Sequence, residues 1–149
     1  MKFISFNHDN SEKFGIIENN LITDLTGKID GASSLKELIE IKKIKEAKEY
    51  AKNNPGSIKS EEIEYSPLIP NPGKIICVGL NYSEHVKETN RTVEENPVIF
   101  HRFPESQTAH MQAIQRPTVS ESLDFEGEMA VIMGEGGKHI KPEDALKHI

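Results

Sequence analysis

At 149 residues, with 36% hydrophobic and 28% charged side chains, the chain has material for one ordinary domain, or for a small domain and part of a larger one. It is too apolar for a disordered polypeptide. Acidic residues outnumber basic ones 24 to 18, for a net charge of -6, and no Lys/Arg cluster is dense enough to follow a phosphate backbone, which argues against a nucleic-acid partner. The start, Met1 to Asp9, turns polar too early for a signal peptide, and no stretch approaches the ~20 apolar residues of a membrane span. The single cysteine, Cys77, cannot form an internal disulfide, so the expected setting is a reducing, cytoplasmic one with no membrane partner.

Along the chain, Lys2 to Phe6, Phe14 to Glu18 and Leu21 to Asp24 read as strands of a small antiparallel unit, with Asn19-Asn20 supplying the positive φ of a tight hairpin. From Ser33 the pattern turns helical. Ser34 and Glu37 have capping-box spacing, and the positions after them sort into apolar and charged faces until Asn53-Asn54-Pro55-Gly56 ends the helix. Prolines at 55, 67, 70 and 72 suggest a linker or irregular strand, which places a small domain in residues 1–70 and a second in 71–149. The apolar run Ile75-Ile76-Cys77-Val78, ended by Gly79, reads as a buried strand with Cys77 as a core residue. Further strands are expected at Val98 to Phe100 and across Phe125 to Met133, then a turn at Gly134-Glu135-Gly136-Gly137 and a helix from Pro142-Glu143.

Two segments carry chemistry. In Leu123-Asp124-Phe125-Glu126-Gly127-Glu128-Met129, a strand would put Asp124, Glu126 and Glu128 on one face and Phe125 and Met129 on the other. Crowded carboxylates repel one another, a strain that a divalent cation relieves, and oxygen donors without clustered His or Cys favour Mg²⁺, Mn²⁺ or Ca²⁺ over zinc or copper. Taken alone, such a Glu-x-Glu reads as the solvent face of an edge strand. The second segment, Gly79-Leu80-Asn81-Tyr82-Ser83-Glu84-His85-Val86-Lys87-Glu88, follows the apolar strand directly. Asn81 with Glu84 could cap a short helix on which His85 and Glu88, three residues apart, share a face. A carboxylate that orients an imidazole makes a general base for water, and the plainer reading is an ordinary surface His–Glu pair.

Four stretches taken together resemble the fumarylacetoacetate hydrolase family: Lys74 to His85, Pro97-Val98-Ile99-Phe100, Arg116-Pro117, and Leu123 to Gly134. The resemblance covers roughly residues 70 to 149, and the first part is similar to the small N-terminal domain of bacterial members. It implies an α+β, mainly β fold, with a small N-terminal β/α domain followed by the first half of a mixed-β roll. It further implies a homodimer that uses Mg²⁺ or Mn²⁺ (Ca²⁺ in some members) on β-dicarbonyl, acylpyruvate-like or 2-hydroxy-dienoate acids. Carried over by position, Glu126 and Glu128 match two metal-binding carboxylates, His85 and Glu88 match the pair that activates water, and Arg102 matches a basic residue near the substrate. The family's third metal-binding carboxylate, an aspartate, lies beyond Ile149, so the 149 residues alone are expected to be inactive. Hydrolysis and isomerisation lead, and the alternatives are decarboxylation of an oxaloacetate-like acid and a non-catalytic interaction module.

Overall fold

Two pairs of residues at positive φ organise the first sheet of the computed structural model, which describes residues 1–88 and 96–149. Asn19 and Asn20 take φ values of 51° and 64°, and Asp9 and Asn10 take 51° and 57°. Both pairs fit two-residue hairpin turns whose twist matches that of the strands. The first pair is the hairpin expected from sequence. The second lengthens the flanking strands, so that β1 runs Lys2–His8, β2 Ser11–Glu18 and β3 Leu21–Asp24. The stretch expected to be a linker or irregular strand closes the sheet with two short strands. Strand β4 (Ile58–Lys59) pairs with β3, and β5 (Glu64–Tyr65) pairs with β1, giving the antiparallel order β4-β3-β2-β1-β5. Gly56 permits the approach of this return segment, since a Cβ there would stand 2.5 Å from the Ile22 carbonyl carbon.

The helix read from Ser33 onward begins as expected. Ser34 Oγ accepts the Glu37 amide at 3.2 Å, and the Glu37 carboxylate accepts the Ser33 amide at 2.7 Å. It is not one helix, however: α1 spans Leu35–Glu40 and α2 spans Ile44–Asn53. Lys42 sits at φ 58°, while the Lys42 amide donates to Ile39 O at 3.0 Å and the Lys43 amide to Leu38 O at 3.1 Å. This is the paired-bond helix ending usually built around glycine, here with lysine in the left-handed position. Apolar periodicity continues across the break, which is why sequence pattern alone missed it.

Residues of β2, the β3–α1 connection and both helices make one core: Phe14, Ile16, Leu25, Ile29, Leu35 and Leu38, with Ala47 and Ala51 admitting α2 closely. Phe6 and Ile22 are fully buried as well. Beside them, Lys13 Nζ donates to Asp24 Oδ2 at 2.9 Å, and Asp24 Oδ1 accepts the Thr26 amide at 2.8 Å. Burial pushes the Asp24 carboxyl up, but the Thr26 and Lys13 hydrogen bonds outweigh it and hold the carboxyl below the usual carboxylate range. A folded-state pKa below the unfolded value adds stability above that unfolded value, and the contribution is lost as pH falls through the folded one. Asp24→Asn is therefore expected to cost about 1 kcal/mol at pH 7 and much less in acid. Urea unfolding of both proteins at pH 7 and near pH 3 checks this, and an equal gap at both pH values would contradict it.

The chain divides into two compact units, residues 1–69 with 108–149, and Pro70–Gln107. In the first, the later segment is fastened to β5: Gln112 Nε2 donates to Glu64 Oε1 at 3.1 Å and to Tyr65 O at 3.2 Å, and His110 meets the Tyr65 ring edge-on at 5.0 Å. The second unit is an antiparallel pair, β6 (Ile75–Gly79) with β7 (Val98–Arg102), and a helix α3 (Ser83–Glu88). Strand β6 forms as expected but is not buried. Ile76, opposite His101, and Ile99, opposite Val78, are 61% and 55% exposed, and Cys77 is half-buried. A two-stranded sheet has one neighbour per strand and leaves a face uncovered.

Candidate functional site

Strand β6 runs out at Gly79, Leu80 takes φ 57°, and α3 starts at Ser83. The left-handed residue turns the chain from strand into helix. Tyr82, not Asn81, stands at the capping position, and its carbonyl accepts the Val86 amide at 3.1 Å. Val86 is the buried residue of α3, so the helix lies on that side and presents its remaining faces outward.

His85 and Glu88 share one of those faces. His85 Nδ1 stands 3.8 Å from Glu88 Oε2, within ion-pair range and too long for a hydrogen bond. Lys87 and Glu84 form a second pair at 2.8 Å on the same short helix. The His85 side chain is 58% exposed. Arg102 ends β7, opposite Ile75 in register, and its Nε donates to Ser106 Oγ at 3.4 Å. The expected basic residue is thus at a strand end in the same unit as His85, with Ser106 on its guanidinium.

The carboxylate segment departs from expectation. Residues 123–133 form no strand, so the strand expected to gather Asp124, Glu126 and Glu128 on one face is missing. A strand exists only when its amides and carbonyls find a neighbouring strand, and among the described residues none pairs with this stretch. Its apolar side chains stand exposed along with the polar ones: Phe125 is 63% and Met129 83% exposed. The helix expected from Pro142 is a 3-10 helix, Pro142–His148.

The donors are of the kind a hard divalent cation takes. They do not form a complete set: among the described residues no group of three or more His, Cys, Asp or Glu side chains stands close enough to hold a metal ion. Nor, among them, is any helix long and apolar enough to cross a membrane.

Comparison with known proteins decides the family. A sequence profile described as fumarylacetoacetate (FAA) hydrolase C-terminal matches residues 74–149. The chain belongs to the fumarylacetoacetate hydrolase family. Relatives within it include the mitochondrial oxaloacetate tautomerases Fahd2a of Rattus norvegicus, 39% identical over 92 residues, and fahd2 of Xenopus laevis, 38% identical over 103 residues. These matches take in 62% and 69% of the present chain but only 29% and 32% of the relatives. The fold is α+β, mainly β, as read from sequence, and is similar to solved family structures. An HpcE protein from Mycobacterium smegmatis superimposes with a TM-score of 0.69 at 23% identity, covering 97% of this chain and 50% of that one. A maleylpyruvate hydrolase from Sphingobium sp. SYK-6, solved with manganese(II) and pyruvate, gives 0.52 at 19% identity, covering 71% and 38%.

Proposed function

We propose that this chain supplies the acid–base and carboxylate groups of an enzyme acting on small 2-oxo acids, with keto–enol isomerisation of an oxaloacetate-like substrate as the leading reaction and carbon–carbon hydrolysis of an acylpyruvate as the second. The observation that carries the reading is the His85–Glu88 pair, 3.8 Å apart on an open face of α3, inside the segment that matches the family. Relatives named for oxaloacetate tautomerase activity and a neighbour solved with pyruvate support the substrate class. In keto–enol exchange a proton leaves carbon and another arrives on oxygen, or the reverse, and in hydrolytic cleavage a proton leaves water. Each needs a base within reach of a small planar acid, and His85 supplies it. Glu88 orients the ring, and Arg102 pairs with the substrate carboxylate.

Glu126 and Glu128 are proposed as two of the ligands for Mg²⁺ or Mn²⁺. Because the described carboxylates do not gather into a set of three, the reading requires further ligands to complete the site, for which the second subunit of a homodimer is one proposed source. Titration calorimetry with Mn²⁺ tests this. The 149-residue protein should give the same weak heat with and without Glu126→Ala/Glu128→Ala. A chimera in which residues 1–149 are followed by the remaining length of an active relative should bind Mn²⁺ and lose that binding in the double variant. Equal binding by both chimeras would overturn the metal roles.

A second reading, a non-catalytic module that associates with another subunit, is favoured by the exposed Ile76 and Ile99 on the β6–β7 pair. Light scattering after size exclusion separates the two: a discrete complex, with no turnover by the chimera, would favour the module.

A further inference from the structure

The stretch that carries Glu126 and Glu128 is held at one end to the N-terminal sheet and at the other to the turn after α1. On its near side, the Gln112 side chain bridges to Glu64 and Tyr65 of β5 at 3.1 and 3.2 Å, and neighbouring Ala109 is buried. On its far side, Lys42 Nζ donates to Glu135 Oε2 at 2.9 Å. The left-handed turn between α1 and α2 puts Lys42 there, and a Cβ on Gly134 would touch Ile39 Cγ2 at 3.7 Å, so this end of the stretch lies against α1. The amides of Gly134 and Glu135 both donate to His148 O, at 2.8 and 3.2 Å, which closes the end loop on itself beside this contact. The Lys42 ammonium, through its hydrogen bond and its charge, holds the Glu135 carboxyl below the usual carboxylate range.

We infer that Lys42 and Gln112 are positioning residues, the two clasps by which the N-terminal sheet unit sets the place of the Glu126/Glu128 stretch between them. The inference rests on the reading of Glu126 and Glu128 as site residues. A chain fixed at both ends loses much of its conformational freedom before any ligand arrives, so less ordering entropy remains to oppose binding. This gives the small N-terminal domain a task in the site without any contact to substrate. A single exposed ion pair contributes little by itself, but here the close approach of Gly134 to Ile39 accompanies it, and the two backbone bonds to His148 O brace the loop that carries Glu135.

The test uses amide exchange and ¹⁵N relaxation in the 149-residue protein, and so needs no turnover; loss of the clasp and loss of the proposed activity are separately visible. Lys42→Glu is expected to speed exchange of the Gly134 and Glu135 amides about two- to fivefold and to lower the heteronuclear NOE at the Glu126 and Glu128 amides. The charge-swapped Lys42→Glu/Glu135→Lys protein should restore both. Gln112→Ala should lower the same two NOE values from the other side. Unchanged chemical shifts in β1 to β3 show that the sheet is intact. Unaltered NOE values at Glu126 and Glu128 in the single variants, or a swap that fails to restore them, would overturn the inference.

Discussion

Phe14→Ala is expected to destabilise the N-terminal sheet unit by about 3–5 kcal/mol, the range for deleting a buried aromatic ring. Phe14 is fully buried in β2 and packs with Leu25, Leu35 and Leu38. Its carbonyl accepts the Leu25 amide at 2.9 Å and its amide donates to Thr26 Oγ1 at 3.2 Å, so the same residue pins the turn that leads toward α1. A domain's whole stability is typically about 5–15 kcal/mol, so much of the unit's margin would go. Phe125→Ala is the matched control. That ring is largely exposed, and its loss should change stability by no more than about 0.5 kcal/mol. Urea unfolding followed by circular dichroism reads both, and comparable losses in the two variants would show that the core lies elsewhere.

The second large effect is on turnover. In the chimera, His85→Gln is expected to lower the rate on oxaloacetate by about 10²–10⁴-fold, the usual contribution of a positioned general base. Stability should hold, because the His85 side chain is more than half exposed and Val86 is what anchors α3. Glu88→Gln keeps the shape and removes the charge beside the ring, so its loss should be smaller than that of His85→Gln. Its pH–rate profile should move relative to the parent, which a purely structural role would not produce. Steady-state rates across pH check both, and a His85→Gln protein with the parent's rate would remove the acid–base assignment.

How far the sequence foretold the structure differs from segment to segment, for physical reasons. Asn19-Asn20 announces its hairpin because few residue pairs accept two positive φ values, and Ser34 with Glu37 announces a helix start because the donors of a first turn need partners. Those are local requirements. The break at Lys42 is not local in that sense: lysine carries no cost low enough to mark it, and the two backbone bonds that stabilise it are invisible in the apolar pattern. The strand expected across Phe125 to Met133 fails for a different reason. Alternation specifies which side of a strand would be apolar, but pairing requires a second strand, and among the described residues 123–133 have none. The site follows the same division. His85 and Glu88 come together because helix geometry alone brings positions three apart onto one face. The strand expected under Glu126 and Glu128 depended on a sheet partner, so it was legible as a pattern and does not form among the described residues. Nothing in the sequence pointed to Lys42, Gln112 and Glu135, since their contacts join residues 93 and 48 positions apart.

The most direct measurement of the proposed activity is the rate of enol-to-keto conversion of oxaloacetate by the chimera in Mn²⁺, followed by ultraviolet absorbance, against its Glu126→Gln/Glu128→Gln variant at equal folded concentration. The account predicts a rate well above the buffer-catalysed one in the parent and a fall to the buffer rate in the variant. A variant as fast as the parent would mean that these carboxylates serve no part of the reaction, and would contradict it.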